Sequence, residues 1–197
     1  VFFHTHMTTI AAPDRPNVDR RIALFIFLTT LVCYAYFFPR WADNNVNSRL
    51  DMVVAVVEDG TFKIDKYVGN TVDYAKVDGH YYSDKAPGVA LLAIPVYAAL
   101  DVVLDLPITA GLTDRLANSS AFRSTLRESG SGVNALKVRF ALAQVVLSLV
   151  FGALPTAALC VLIYRMLLVF GASRRVSVAV SLIYGLCTPA FAYANTF

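Results

Sequence analysis

The stretch FALAQVVLSLVFGALPTAALCVLIYRMLLVFG, residues 140–171, carries a single charged side chain, Arg165. A helix needs about 20 consecutive apolar residues to cross a hydrocarbon core. The run is longer than that and lacks the two-residue alternation of a membrane β-strand, so it reads as a membrane helix. Working outward, residues 22–39, 86–104 and 176–197 are similar blocks, the second interrupted only by Asp101. Apolar residues make up 57% of the chain and charged residues 16%, with a mean hydropathy of +0.57, whereas a soluble domain averages about 25% charged. The expected class is an all-α integral membrane protein that crosses the bilayer more than once.

The chain opens on Val1 and stops at Phe197 inside an apolar run, so it is expected to be a fragment, with Met7 a candidate start. No small-residue cleavage site follows a short apolar core near the N-terminus, and residues 22–39 therefore read as a retained signal anchor. Cys33, Cys160 and Cys187 all fall in apolar blocks without metal-ligand spacing, which reads as buried thiols. His4 and His6 lie in the N-terminal tail and receive no metal role. The net charge of +3 comes without a basic stripe and interleaved aromatics, so no nucleic-acid partner is expected.

Lysine and arginine concentrate in cytoplasmic loops. Arg15, Arg20 and Arg21 precede the first block, and Arg165, Arg174 and Arg175 surround the turn Gly171-Ala172-Ser173; both places are expected inside. That is satisfied if residues 86–104 embed without crossing. The expected organisation is a cytoplasmic tail at 1–20, a first span at 21–39 and an external segment at 40–138. A second span at 139–170, a basic cytoplasmic turn at 171–175 and a third span at 176–197 follow. A four-crossing arrangement is the rival.

The external segment is acidic: Asp43, Asp51, Glu58, Asp59, Asp65, Asp73, Asp78 and Asp84 are eight of the 14 acidic residues. Within it, Leu50, Val53, Val54 and Val57 recur at helical spacing, with Asn47 or Ser48 as N-cap and Gly60 as the stop. An amphipathic helix at about 48–59 is expected on the membrane surface, valines down, with Asp51 and Glu58 facing water. Turn chemistry follows at Asp78-Gly79-His80. Then Tyr81-Tyr82-Ser83-Asp84-Lys85-Ala86-Pro87-Gly88 leads into the helix expected at about 86–104. Pro87 suits a first helical turn, so Lys85 sits at a helix N-terminus, where its charge adds to the helix dipole and free N–H groups. This is an expected anion site for a lipid phosphate, with Tyr81 and Tyr82 as interfacial anchors.

The order of basic edge, first span, external helix ending in Glu58-Asp59-Gly60, and Tyr81-Tyr82-Ser83-Asp84-Lys85-Ala86-Pro87-Gly88 resembles the N-terminal third of the GT-C class. These are polytopic glycosyltransferases that use polyprenyl-phosphate sugars, especially the dolichyl-phosphate-mannose protein mannosyltransferase and aminoarabinose transferase relatives of glycosyltransferase family 39. Thr188-Pro189 near the external end of a span matches in style. The resemblance implies a GT-C bundle in a bacterial or archaeal plasma membrane, with external juxtamembrane helices. It implies transfer of a sugar, with inversion, from a polyprenyl-phosphate donor to a protein, lipid or glycan acceptor. Lys85 matches the lysine that holds the carrier phosphate, and the helix at 48–59 matches the one bearing the catalytic acid. The family's leading acid falls near Asn45, an amide, so Asp43, Asp51 and Asp73 are the candidates for the base.

Such a transfer needs a carboxylate to take the acceptor's proton and a cation for the leaving phosphate. Arg49 is a candidate to assist Lys85, and Tyr82 and His80 to orient phosphate or sugar. Neither a metal nor another cofactor is expected to be obligatory. Two other classes fit helical spans, a polytopic transporter, for which Asp101 and Pro155 are the intramembrane candidates, and a non-catalytic membrane subunit. The fragment alone is expected to be inactive.

Overall fold

A computed structural model describes residues 16–37, 43–120 and 134–197, with side chains from residue 137 onward in the last segment. The tail through Arg15, with His4, His6 and Met7, lies outside the described residues, as do residues 38–42 and the polar stretch 121–133. The described chain is mostly helical and divides into two compact units, residues 16–37 with 153–195, and residues 43–120 and 134–152 with 196–197.

The first unit contains α1 (Pro16–Tyr36), α6 (Leu154–Val169), α7 (Arg174–Cys187) and the short α8 (Pro189–Tyr193). Its interior combines Ile26, Tyr34, Cys160 and Tyr164 with small and polar groups: Thr30, Ser177 and Ser181 are fully buried, and Gly185 continues the four-residue spacing of the two serines. Both serine hydroxyls are satisfied within the helix, Ser177 by the Ser173 carbonyl at 3.0 Å and Ser181 by that of Ser177 at 2.8 Å. Many other large apolar side chains face outward, among them Phe25, Leu28, Val32, Leu162, Met166 and Ile183. At one end, the Asp19 carboxylate receives Arg174 Nε at 2.6 Å and the Tyr164 hydroxyl at 3.0 Å. This pairing sets the start of α1 beside the turn Gly171–Ser173, so the basic clusters around Arg20 and Arg174 share one end.

α7 stops where proline requires. Thr188, the residue before Pro189, is extended at φ −120°, ψ 172°, and its side chain caps α8 at the Ala190 amide. Pro189 offers no N–H to the carbonyl four residues back, that of Gly185. The Tyr34 hydroxyl from α1 donates to that carbonyl instead, at 2.9 Å.

The second unit contains α2 (Asn44–Asp59), β1 (Tyr74–Val77), β2 (His80–Ser83), α3 (Gly88–Leu104), α4 (Pro107–Ala117) and α5 (Asn134–Ser148). Leu50, Val53 and Val54 of α2 meet Ala93 and Tyr97 of α3 and Leu147 of α5 in its core. Arg139 of α5 is ion-paired with Asp101 and Asp105 at the end of α3. Asp101 therefore has a structural partner. α3 turns by 88° into α4, whose exposed Ile108, Leu112 and Leu116 recur every fourth residue and line one outward face. The π turn Leu149–Ala153 joins α5 to α6, just before Pro155, whose missing N–H unsettles a regular ladder.

The described elements differ from the expected segments in several places. Among the described residues one helix, Lys137–Val169 with 33 residues, is long and apolar enough to cross a membrane, and the bent pair α3–α4 passes the same test only when taken together. The expected span at 21–39 is part of α1, whose first turns hold Asp19, Arg20 and Arg21. Residues 22–36 of that helix carry no charge, and residues 38–39 of the expected span lie outside the described residues. The expected span at 176–197 is broken at Thr188, leaving 14 residues in α7. Residues 43–120 are a folded unit rather than a loop with two helices, since a hairpin and α4 were not anticipated as elements. Cys160 is buried, whereas Cys187 is exposed.

Candidate functional site

α2 begins four residues before the expected N-cap. Asp43, with extended backbone, accepts from the Asn45 amide at 2.9 Å and the Val46 amide at 3.3 Å, satisfying donors that a helix start leaves free. One sequence candidate for the base is thus the cap of α2. Gly60 ends the helix as expected, at φ 65°, the left-handed conformation that glycine adopts without penalty.

Freed from capping, Asn47 and Ser48 hold the following segment. Asn47 Nδ2 donates to the Asn70 carbonyl at 2.8 Å, and the hydroxyls of Ser48 and Ser83 are 2.8 Å apart. Thr71 donates its hydroxyl to the Asn44 carbonyl at 2.8 Å. Asn70 Nδ2 donates to Asp51 Oδ1 at 2.9 Å. Asp51 is corrected accordingly: far from facing water it is 0% exposed, and its Oδ2 is buried without a hydrogen-bond partner. The reason is tertiary. Asp51 lies about 100° around the helix from Leu50, on the flank that the 70–71 segment covers.

That burial pushes the Asp51 carboxyl up to about 8, the Asn70 hydrogen bond opposing it. In the unfolded chain the same group titrates near 4. A raised folded value contributes stability that is fully present below the unfolded value and lost as pH rises through the folded one. The thermal midpoint should therefore fall between about pH 4 and 8 and level off above, and Asp51→Asn should remove that slope. Equal pH profiles for the two proteins would contradict it. Asp59 and Asp65 act oppositely, lowered chiefly by Lys66 and by the Tyr81 amide respectively, so they favour the fold above the usual carboxylate range.

The hairpin brings the other candidates together. Asp78 (φ 50°) and Gly79 (φ 85°) form its two-residue turn, the Asp-Gly pairing such turns favour. The register pairs Val77 with His80 and Tyr74 with Ser83, so one further step sets Asp73 opposite Asp84. Lys85 Nζ lies 3.1 Å from Asp73 Oδ2 and 3.2 Å from Asp84 Oδ1. All three side chains are partly exposed, and the Lys85 ammonium is held above its ordinary range, first by Asp73. The Asp73 amide is anchored on the Thr71 hydroxyl at 3.1 Å.

The remaining candidates are elsewhere. His80 sits at the turn end of the hairpin, three residues or about 10 Å along the strand from Ser83, with Nδ1 2.8 Å from Asp65 Oδ2. Tyr82 alternates with Ser83 and so points to the opposite face of the hairpin. Arg49 makes no ion pair with Asp51, and its Nε is buried without a partner. Glu58 is exposed, as expected, and accepts from the Tyr97 hydroxyl at 2.7 Å. Asn70, Ser83 and Asp84 escaped the sequence reading, although the Asp-Gly turn already implied that residues 73 and 84 face each other. Among the described residues no three His, Cys, Asp or Glu side chains converge as a metal site.

The cluster can thus present a cation and a carboxylate side by side at the foot of α3. Compared with protein-family models, curated proteins and solved structures, the chain matches none.

Proposed function

We propose that this chain belongs to a multi-pass membrane glycosyltransferase of the GT-C type, taking sugar from a polyprenyl-phosphate carrier on the external face. The observation that carries the reading is Lys85 within 3.1 Å of Asp73, two residues chosen from sequence for complementary roles. Asp73, partly exposed, accepts the proton of the acceptor hydroxyl as that oxygen bonds the sugar's anomeric carbon. The bond from that carbon to the phosphate oxygen breaks, and polyprenyl phosphate leaves with its electron pair against Lys85. Attack opposite the leaving group inverts the anomeric centre.

The membrane part of the reading is supported by the first unit, where Thr30, Ser177 and Ser181 are buried beside Ile26, Tyr34 and Tyr164 while many large apolar side chains are exposed. That exposed apolar surface, with buried hydroxyls between the helices, suits helices solvated by lipid, whose association depends on close packing and polar contacts. Two basic clusters at one end accord with a shared cytoplasmic side. The 88° bend of α3–α4 accords with an element that enters the outer leaflet and returns.

The test uses full-length protein reconstituted in liposomes with labelled polyprenyl-phosphate sugars and a membrane extract as acceptor. Release of free polyprenyl phosphate that depends on the protein is the expected result. No donor consumption across hexose and aminopentose donors would remove the reading, and a reporter at Asn118 found on the cytoplasmic side would remove the topology.

A further inference from the structure

Asp51 is the most deeply placed acid in the second unit and the one least able to meet a substrate. It is 0% exposed, and among the described residues its carboxyl receives a single hydrogen bond, from Asn70. A base must reach the hydroxyl it deprotonates, and a side chain closed over by the 70–71 segment does not. Its surroundings suggest another task. Three contacts fasten that segment to α2: Asn70 to Asp51 at 2.9 Å, Asn47 to the Asn70 carbonyl at 2.8 Å and Thr71 to the Asn44 carbonyl at 2.8 Å. The Thr71 hydroxyl in turn receives the Asp73 amide, and Asp73 carries Lys85.

We infer that Asp51 is a positioning residue: as the buried acceptor for Asn70 it fixes the 70–73 segment on α2, and through that segment it sets the Asp73 carboxylate against Lys85. The inference rests on the glycosyl-transfer reading for its consequence in catalysis, but not for the geometry. Its chemistry asks only for an oxygen acceptor at Oδ1. An amide supplies one and a hydrocarbon does not, which separates this role from that of a base, where an amide fails.

Asp51→Asn, Asp51→Leu and Asn70→Ala are compared in the full-length protein by hydrogen exchange at the Thr71 and Asp73 amides. Asp51→Asn should exchange as slowly as wild type. Asp51→Leu and Asn70→Ala should exchange faster, on the order of tenfold, because each breaks the same hydrogen bond and Asn70→Ala also leaves the buried Asp51 carboxyl unmatched. In the transfer assay the same two variants should lose roughly a hundredfold in kcat with KM little changed, as expected when a reacting group is displaced by about 1 Å, and Asp51→Asn should rescue. Asn70→Ala leaves Asp51 itself intact, so it keeps the comparison open if Asp51→Leu does not fold.

Unchanged exchange in Asn70→Ala would overturn the inference, and so would an Asp51→Asn protein that exchanges slowly yet is as inactive as Asp73→Asn. If wild type consumes no donor while the exchange pattern holds, the glycosyl-transfer reading fails and the anchoring of the segment by Asp51 stands.

Discussion

Lys85→Ala is expected to lower kcat/KM for sugar transfer about a thousandfold, the scale of losing one preorganised charge aimed at a developing anion. On the proposed reading the phosphate oxygen gains negative charge as the sugar departs, and the ammonium at residue 85 would be the cation beside the base. Removing it also leaves Asp73 and Asp84 facing each other across the end of the hairpin without the cation that joins them. Asp73→Asn keeps the shape but cannot take a proton and should cost about 10²–10⁴-fold in kcat. Asp84→Asn, which spares both roles, should cost far less. The measurement is steady-state release of polyprenyl phosphate by each variant. A Lys85→Ala protein within tenfold of wild type would remove the phosphate clamp, and an active Asp73→Asn protein would remove the base.

The largest effect on stability is expected from Gly185→Val. A Cβ at residue 185 would lie 2.6 Å from Cys160 Sγ, 2.9 Å from the Tyr34 hydroxyl and 3.3 Å from Thr30 Cγ2, so α1, α6 and α7 meet at a point with no room for a methyl group. The Tyr34 hydroxyl cannot withdraw freely, because it serves the carbonyl that Pro189 leaves unpaired. Overpacking typically costs about 1–3 kcal/mol, and here the displaced tyrosine would add an unsatisfied carbonyl worth about another 1–3 kcal/mol. Gly185→Ala should be milder and should be partly restored by Cys160→Ala, which removes the nearest atom. Thermal unfolding in detergent checks the series. Equal midpoints for wild type and Gly185→Ala would show that these helices do not approach so closely.

Local patterns carried much of the second unit. The valine periodicity marked α2, Gly60 marked its end and Asp78-Gly79 marked the hairpin turn, each because the constraint lies within a few residues. Asp51 was misplaced because what covers it, Asn70, is 19 residues away, and helical periodicity says which face a residue shares without saying what another segment lays over it. Asn47 and Ser48 look like caps in sequence, yet Asp43 takes that role and releases them for tertiary bonds. The partnership of Asp73 with Lys85 was within reach, since counting outward from the Asp-Gly turn brings the two together. The length of α7 was overread for a different reason: a block of apolar composition takes no account of the Thr-Pro break at residues 188–189.

Lys85 already has company before any substrate arrives. One positive charge answers two negative ones, so the resting cluster has no surplus attraction to offer an anion. On the proposed reading, a phosphate gains its seat by exchange, taking over the ammonium that Asp73 had held. The departing partner is then an unclaimed carboxylate at the edge of the newly filled site. Loading the donor would in this way arm the proton acceptor, and an empty enzyme would keep its base neutralised and its lysine silent toward stray anions.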